Sequence, residues 1–140
     1  MEFVLSLLHT IIFLFLSILH LYWAISNDPG VFEMIPTDAG GRTIWKPRPI
    51  WLFLGAFMFY AFAMVNMFNE EFINLVISKK VINVAMAVIA LAFFVRFVGD
   101  FRYVGISKTL RTSPFARRDS RIYVPFCLVM SLSHFLLILL

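Results

Sequence analysis

The 140-residue sequence has a single cysteine, Cys127, and few charges: Asp, Glu, Lys and Arg together make up 14% of it. One cysteine excludes an intramolecular disulfide and a thiolate metal cluster. Because it sits in an apolar run, it reads as an inert interior thiol rather than a reactive one. Soluble domains carry about 25% charged residues, so the scarcity here, with 61% hydrophobic residues, excludes an ordinary soluble domain. There is no Gly-rich phosphate loop ending in Lys-Ser/Thr, which excludes nucleotide chemistry of that kind. The apolar runs contain no Glu, so the Glu-x-x-His pattern of di-iron bundles is absent. The seven Met form no repeated Met-x-x-Met pattern and read as packing.

What is present is apolar length. A bilayer-crossing helix needs about 20 mainly apolar residues. Four runs qualify, at 3–25, 49–68, 81–101 and 123–140. They are apolar nearly all round, so the bilayer argues for helix: each backbone group must be satisfied within its own segment. The expected fold is a single all-α domain, an integral membrane four-helix bundle. The first run has no basic flank and no small-residue cleavage site, and reads as a retained helix. Pro49 and Pro125 each open a span, where a missing N–H costs little. Asn27–Gly30 ends the first span, Gly40-Gly41 breaks the loop after it, and Asn69-Glu70-Glu71 ends the second.

The net charge of +4 lies beside the spans, which points to topology and lipid headgroups, not to nucleic acid. The first loop carries Arg42, Lys46 and Arg48; the third carries Arg102, Lys108, Arg111, Arg117, Arg118 and Arg121. Lys79 and Lys80 alone lie on the other side. Lys and Arg mark the cytoplasmic side, so basic loops 1 and 3 are expected there, with an N-out/C-out chain. Trp23, Trp45, Trp51, Tyr103 and Tyr123 then fall at the same boundary, as an aromatic belt does.

Direction turns sequence position into depth. A cytoplasmic layer holds His20, Trp23, Arg48, Trp51, Arg96, Asp100, Arg102 and Tyr123. An outer layer holds Ser6, His9, Asn66, Asn83, Ser131 and His134. His9 and His20 are eleven apart, close to three turns, and share a face. Ala85, Ala92, Arg96 and Asp100 form one stripe, and small residues on a stripe suit a face turned to other helices. Asp100 stands near a helix C-terminus, where the macrodipole disfavours an anion, and needs a partner. Arg96, one turn earlier, is the nearest; His20 and the loop arginines are alternatives. The leading reading is a clasp in which Arg96 snorkels and Asp100 holds it. The alternative is a site, since ionisable groups within membranes are functional candidates. His20 suits either a hydrogen bond or proton transfer. His9 and His134 are level in depth. A facing His pair can hold a haem iron, but such pairs more often only hydrogen-bond, so no cofactor and no metal is expected. The basic loop 108–121 reads as an inside-positive anchor or a binder of anionic lipid.

HLYWA (20–24), GDFRYVG (99–105) and SPFARRDSRIYVPFCL (113–128) together resemble a bacterial family of small four-span membrane proteins, the domain of unknown function 3995. The resemblance runs nearly the whole chain. It departs after HLYWA, where Leu-Gly-Gly is common in the family and Ile25-Ser26-Asn27 stands here, and at Arg118, where Trp is common. It implies a multi-pass protein of the bacterial cytoplasmic (inner) membrane and supplies no reaction. It implies a shared pattern at His20, Trp23, Asp100, Arg102, Tyr103, Arg117, Asp119, Arg121, Tyr123 and Pro125. With Arg96, these residues form the candidate cluster.

Three functions follow, in order. The first is a non-catalytic accessory or scaffold module, packed against a second copy or a larger membrane complex. The second is a binder or translocator of an anionic lipid or small amphipathic molecule, gripped by the His/Asp/Arg cluster. The third is a membrane enzyme using His20 and Asp100 as an acid–base pair, which requires a shared proton within hydrogen-bond reach.

Overall fold

The computed structural model describes residues 1–26, 29–69 and 77–140. Four of its helices are long and apolar enough to cross a membrane. Helix α1 is Glu2–Ser26, α2 is Pro49–Asn69 and α3 is Lys79–Val98. The fourth, Pro114–Leu139, is one helical run in three parts: α4 (Pro114–Arg118), a π turn (Asp119–Tyr123) and α5 (Val124–Leu139). A 3₁₀ turn occupies Pro29–Met34. Among the described residues the β structure is an isolated antiparallel bridge, Thr37 with Thr43. The expected stops at 27–28 and 70–71 lie outside the described residues; Asn69 closes α2.

Two boundaries differ from the sequence reading. The third span ends at Val98, not at residue 101. Gly99 turns to φ +90 and halts the helix, a conformation glycine adopts without a Cβ penalty. The fourth helical run begins at Pro114, nine residues before the expected start. Ser113 caps it by accepting the Ala116 N–H at 3.0 Å, and Pro114 sits in the first turn. Pro125 therefore does not open the span but lies inside it. Proline has no N–H to offer Arg121 and its ring crowds that carbonyl. The π turn absorbs the conflict: the Val124 N–H reaches the carbonyl of Asp119, five residues back.

Contacts divide the chain into two compact units: residues 1–27, 47–89 and 133–140, and residues 28–46 and 90–132. In the first unit, α1 packs along α2. Phe13, fully buried, meets Phe62 edge-on at 5.5 Å, and the Ser17 hydroxyl donates to the Ala56 carbonyl at 2.7 Å. Ile82, Met86 and Leu137 form a core with Leu5, Val65, Phe68 and Ile138 around it. In lipid the tails are as apolar as these side chains, so close packing and hydrogen bonds hold such helices together. The buried side of α3 is Ile82, Met86, Ile89, Ala90 and Phe93. The expected small-residue stripe is therefore not the buried face, since Ala85 is half-buried and Ala92 exposed. Four of the five residues on that side are bulky, and bulky side chains make many packing contacts, while Ala90 is the small exception.

Candidate functional site

The second unit carries the motif residues after α3. GDFRYVG is a closed loop, not a helix end. One oxygen of the Asp100 carboxylate accepts the backbone N–H groups of Arg102 at 2.9 Å, Tyr103 at 2.7 Å and Val104 at 2.9 Å. The Asp100 N–H in turn reaches the Val104 carbonyl at 3.2 Å. Gly99 and Gly105 both take positive φ and back onto each other; a Cβ on Gly99 would strike the Val104 carbonyl, and one on Gly105 the Val98 carbonyl. Phe101 is held at φ +64 in the bend between them. Beyond the loop, Ile106 N–H donates to Phe97 O at 2.8 Å, and the Ser107 N–H and hydroxyl both donate to Val98 O. The carbonyls that α3 leaves open are thus satisfied by the chain that follows it.

This corrects the expected clasp. Arg96 does not pair with Asp100. Gly99 ends the helix before Asp100, so the two no longer share a stripe, and Asp100 spends its charge on backbone N–H groups. Its carboxyl sits below the ordinary carboxylate value: slight burial pushes it up, and the N–H groups of Val104, Tyr103 and Arg102 outweigh that.

Arg96 pairs instead with Asp119. Its Nη2 donates to Asp119 Oδ1 at 2.7 Å; Lys108 Nζ and the Gly105 N–H donate to Oδ2 at 3.0 and 2.9 Å. Asp119 is fully buried and Lys108 is 3% exposed. Lys108 also donates to the Gly105 carbonyl at 2.9 Å. The reading of 108–121 as a free basic anchor therefore fails for Lys108. A buried ammonium is tolerated because a buried carboxylate and a carbonyl face it. The π turn begins at this same Asp119, so the local register that Pro125 imposes also sets the carboxylate's position. Arg118 donates to both the carbonyl and the carboxylate of Glu33, at 2.9 and 3.2 Å, and the Tyr123 hydroxyl meets the Met34 sulfur, tying the Pro29–Met34 turn to α4. Arg117 and Arg121 are exposed. Arg102 is exposed, with its guanidinium 5.0 Å over the ring of Tyr103.

The first unit holds His20 and Trp23, so the candidate cluster is divided between the units. His20 Nδ1 donates to the Leu16 carbonyl at 2.8 Å, which leaves Nε2 as the acceptor of the neutral ring. Its ring lies against Gly55 and stacks obliquely on Phe59 and Trp23; a Cβ on Gly55 would come within 2.8 Å of it. The same unit has a buried polar layer. The His9 and His134 rings stack at 4.1 Å with an interplanar angle of 6°. His9 Nε2 bonds the Ser133 hydroxyl at 2.8 Å, and the Asn66 amide donates to the Phe62 carbonyl at 2.9 Å and to His134 Nε2 at 3.4 Å. The two Nε2 atoms are engaged by different partners, Ser133 for His9 and Asn66 for His134. Ser6, Asn69 and Lys79 extend the layer: Asn69 donates to Ser6 and accepts from Lys79, at 3.5 and 3.3 Å.

Lys108 and Ser133 were missed as site residues. Lys108 follows the charged motif positions Asp100 and Arg102 by eight and six residues, but nothing local in the sequence distinguishes a buried lysine from an anchoring one. Ser133, next to His134, carried a usable signal, since polar neighbours inside an apolar run seek partners across helices.

A family model described as a protein of unknown function (DUF3995) matches residues 13–134. No curated protein and no solved structure matches the chain.

Proposed function

Since the chain belongs to this family of proteins of unknown function, whose match spans both units, we propose that it is a non-catalytic scaffold module that associates with a second copy of itself in the membrane. The observation that carries this reading is a seam on α3. Val81, Val84, Val88, Leu91 and Val95 recur at steps of 3, 4, 3 and 4, and each is 55–59% exposed. That spacing is the a/d repeat by which helices interlock, and one helix presents it identically to its copy. Ala85 and Ala92 flank the seam seven residues apart, and small residues let membrane helices approach. Meanwhile Asp119 takes Arg96, Lys108 and the Gly105 N–H on its two carboxylate oxygens, which suits a structural lock, although Arg96 Nη1 is buried with no hydrogen-bond partner among the described residues.

The module sits in the bacterial inner membrane with loops 1 and 3 cytoplasmic and both termini outside, on the Lys/Arg asymmetry. Fusing a reporter to the C-terminus tests that orientation, and cytoplasmic activity alone refutes it. The scaffold reading is tested by single cysteines at Val84, Val88 and Leu91 in a Cys127→Ser background, cross-linked in native membranes. Dimers should form at these positions and not at Ile89 or Ala90 on the buried side. Linkage to a different protein would make the chain an accessory subunit, and no linkage at any of the three would overturn the proposal.

A further inference from the structure

Two loops of the second unit enclose an open cavity of about 340 Å³, lined by Asp38, Ala39, Arg102, Tyr103, Thr109 and Leu110. Small-molecule sites span about 300–1,000 Å³. Its walls carry opposite charges, and each is anchored. The Asp38 carboxylate is aimed by the Arg42 N–H, which donates to Oδ1 at 2.8 Å; around it, Gly41 N–H returns to the Asp38 carbonyl at 3.1 Å in a tight turn. Arg102 has its backbone N–H fixed on Asp100 and its guanidinium over Tyr103. The three ion pairs among the described residues use Arg96, Lys108 and Arg118, so the Arg102 fork is open to a ligand.

We propose that this cavity binds a phosphate ester bearing a primary ammonium, the chemistry of an ethanolamine headgroup. A simple anion would be drawn to Arg102 and repelled by Asp38; a simple cation would meet the reverse. A zwitterion satisfies both. The guanidinium fork takes two phosphate oxygens, the Thr109 hydroxyl can donate to a third, and the ammonium donates to Asp38. A quaternary ammonium carries no N–H and forfeits that last bond. A lipid fits the surroundings: Phe101 and Ile106 on one loop, and Ile44 and Trp45 on the other, are 66%, 55%, 43% and 49% exposed. Apolar and aromatic side chains beside loop arginines place the cavity mouth at headgroup level. The cavity's lining shares no residue with the α3 seam, and the proposal does not rest on self-association.

The test is native mass spectrometry of the full chain from nanodiscs holding equal parts of ethanolamine, choline and glycerol phospholipids. The wild type should retain the ethanolamine lipid about tenfold or more over both others, the discrimination one charge-assisted hydrogen bond supplies. Asp38→Asn keeps an acceptor for Arg42 and should lower the ethanolamine lipid to the choline level. Arg102→Gln should lower all phospholipids, and Arg111→Gln, outside the cavity, should change nothing. If Asp38→Asn does not fold, Arg102→Lys, which keeps charge without the fork, should still weaken retention. Soluble O-phosphoethanolamine separates the sources. Displacement of the lipid by it assigns the site to the headgroup chemistry in free form as well; failure to displace assigns it to the lipid. Equal retention of the three lipids, or a preference untouched by both Asp38→Asn and Arg102→Gln, overturns the proposal.

Discussion

Replacing Asp119 by Asn should be the most damaging isosteric change in the second unit. The carboxylate takes three donors on two oxygens: Arg96, Lys108 and the Gly105 N–H. Asn keeps one acceptor and turns an NH₂ group towards a donor. Of the two cations, Arg96 has a side chain 34% exposed and can reach outward, but Lys108 at 3% cannot. Removing one partner of a buried ion pair costs about 3–5 kcal/mol, because the remaining charge is left uncompensated. An exposed pair would cost about 0–1 kcal/mol. Reversible unfolding in mixed micelles measures the difference. The decisive control is Lys108→Met. In the wild-type background it leaves Asp119 paired with Arg96 and should cost less than Asp119→Asn. In the Asp119→Asn background it removes the stranded charge and should restore part of the loss, giving a coupling energy above about 0.5 kcal/mol between contacting sites. A loss under about 1 kcal/mol for Asp119→Asn, or strict additivity of the two changes, would refute the buried lock.

Gly99→Ala and Gly105→Ala each place a methyl onto a carbonyl oxygen and force a residue at positive φ; both should abolish the monodisperse folded peak in size-exclusion chromatography. Gly40→Ala should not, since its methyl would only meet Asp38 Oδ1 at 3.4 Å. Asp100 gives a pH dependence. Its folded-state pKa lies below the ordinary value of 3.8, so the stability it adds is complete above that value and is lost as pH falls through the lower one. Hydrogen exchange at Arg102–Val104 should therefore accelerate, relative to the intrinsic rate, on acidification below about pH 4. In Asp100→Asn, which keeps the acceptor but does not titrate, that protection should not change with pH; a wild-type profile equally flat would refute the assignment.

The spans were legible because bilayer insertion is decided by local composition. Each run of about 20 apolar residues carries its own case for helix, and four did so here. Pro125 shows where a local rule misleads. Proline after a polar stretch reads as a helix start, yet the helix had already begun at Pro114, and a π turn made room for the ring. Arg96 and Asp100 show the same limit. Their spacing suits an i, i+4 pair on a continuous helix, but a single glycine between them changes the chain direction and separates their roles.

Four apolar runs long enough to cross a membrane as helices, with most of the basic residues gathered in two loops, can be read directly along the chain, and GDFRYVG and the Asp119 segment stand out as parts of a family pattern. Which residue pairs with which depended on packing in space. Arg96 and Asp119 are 23 residues apart, and His9 and Ser133 are 124. Hydropathy is a property of a segment and can be summed along the chain. An ion pair or a stacked ring depends on where two distant segments lie in space, and on which of several nearly equivalent charges reaches a buried partner first.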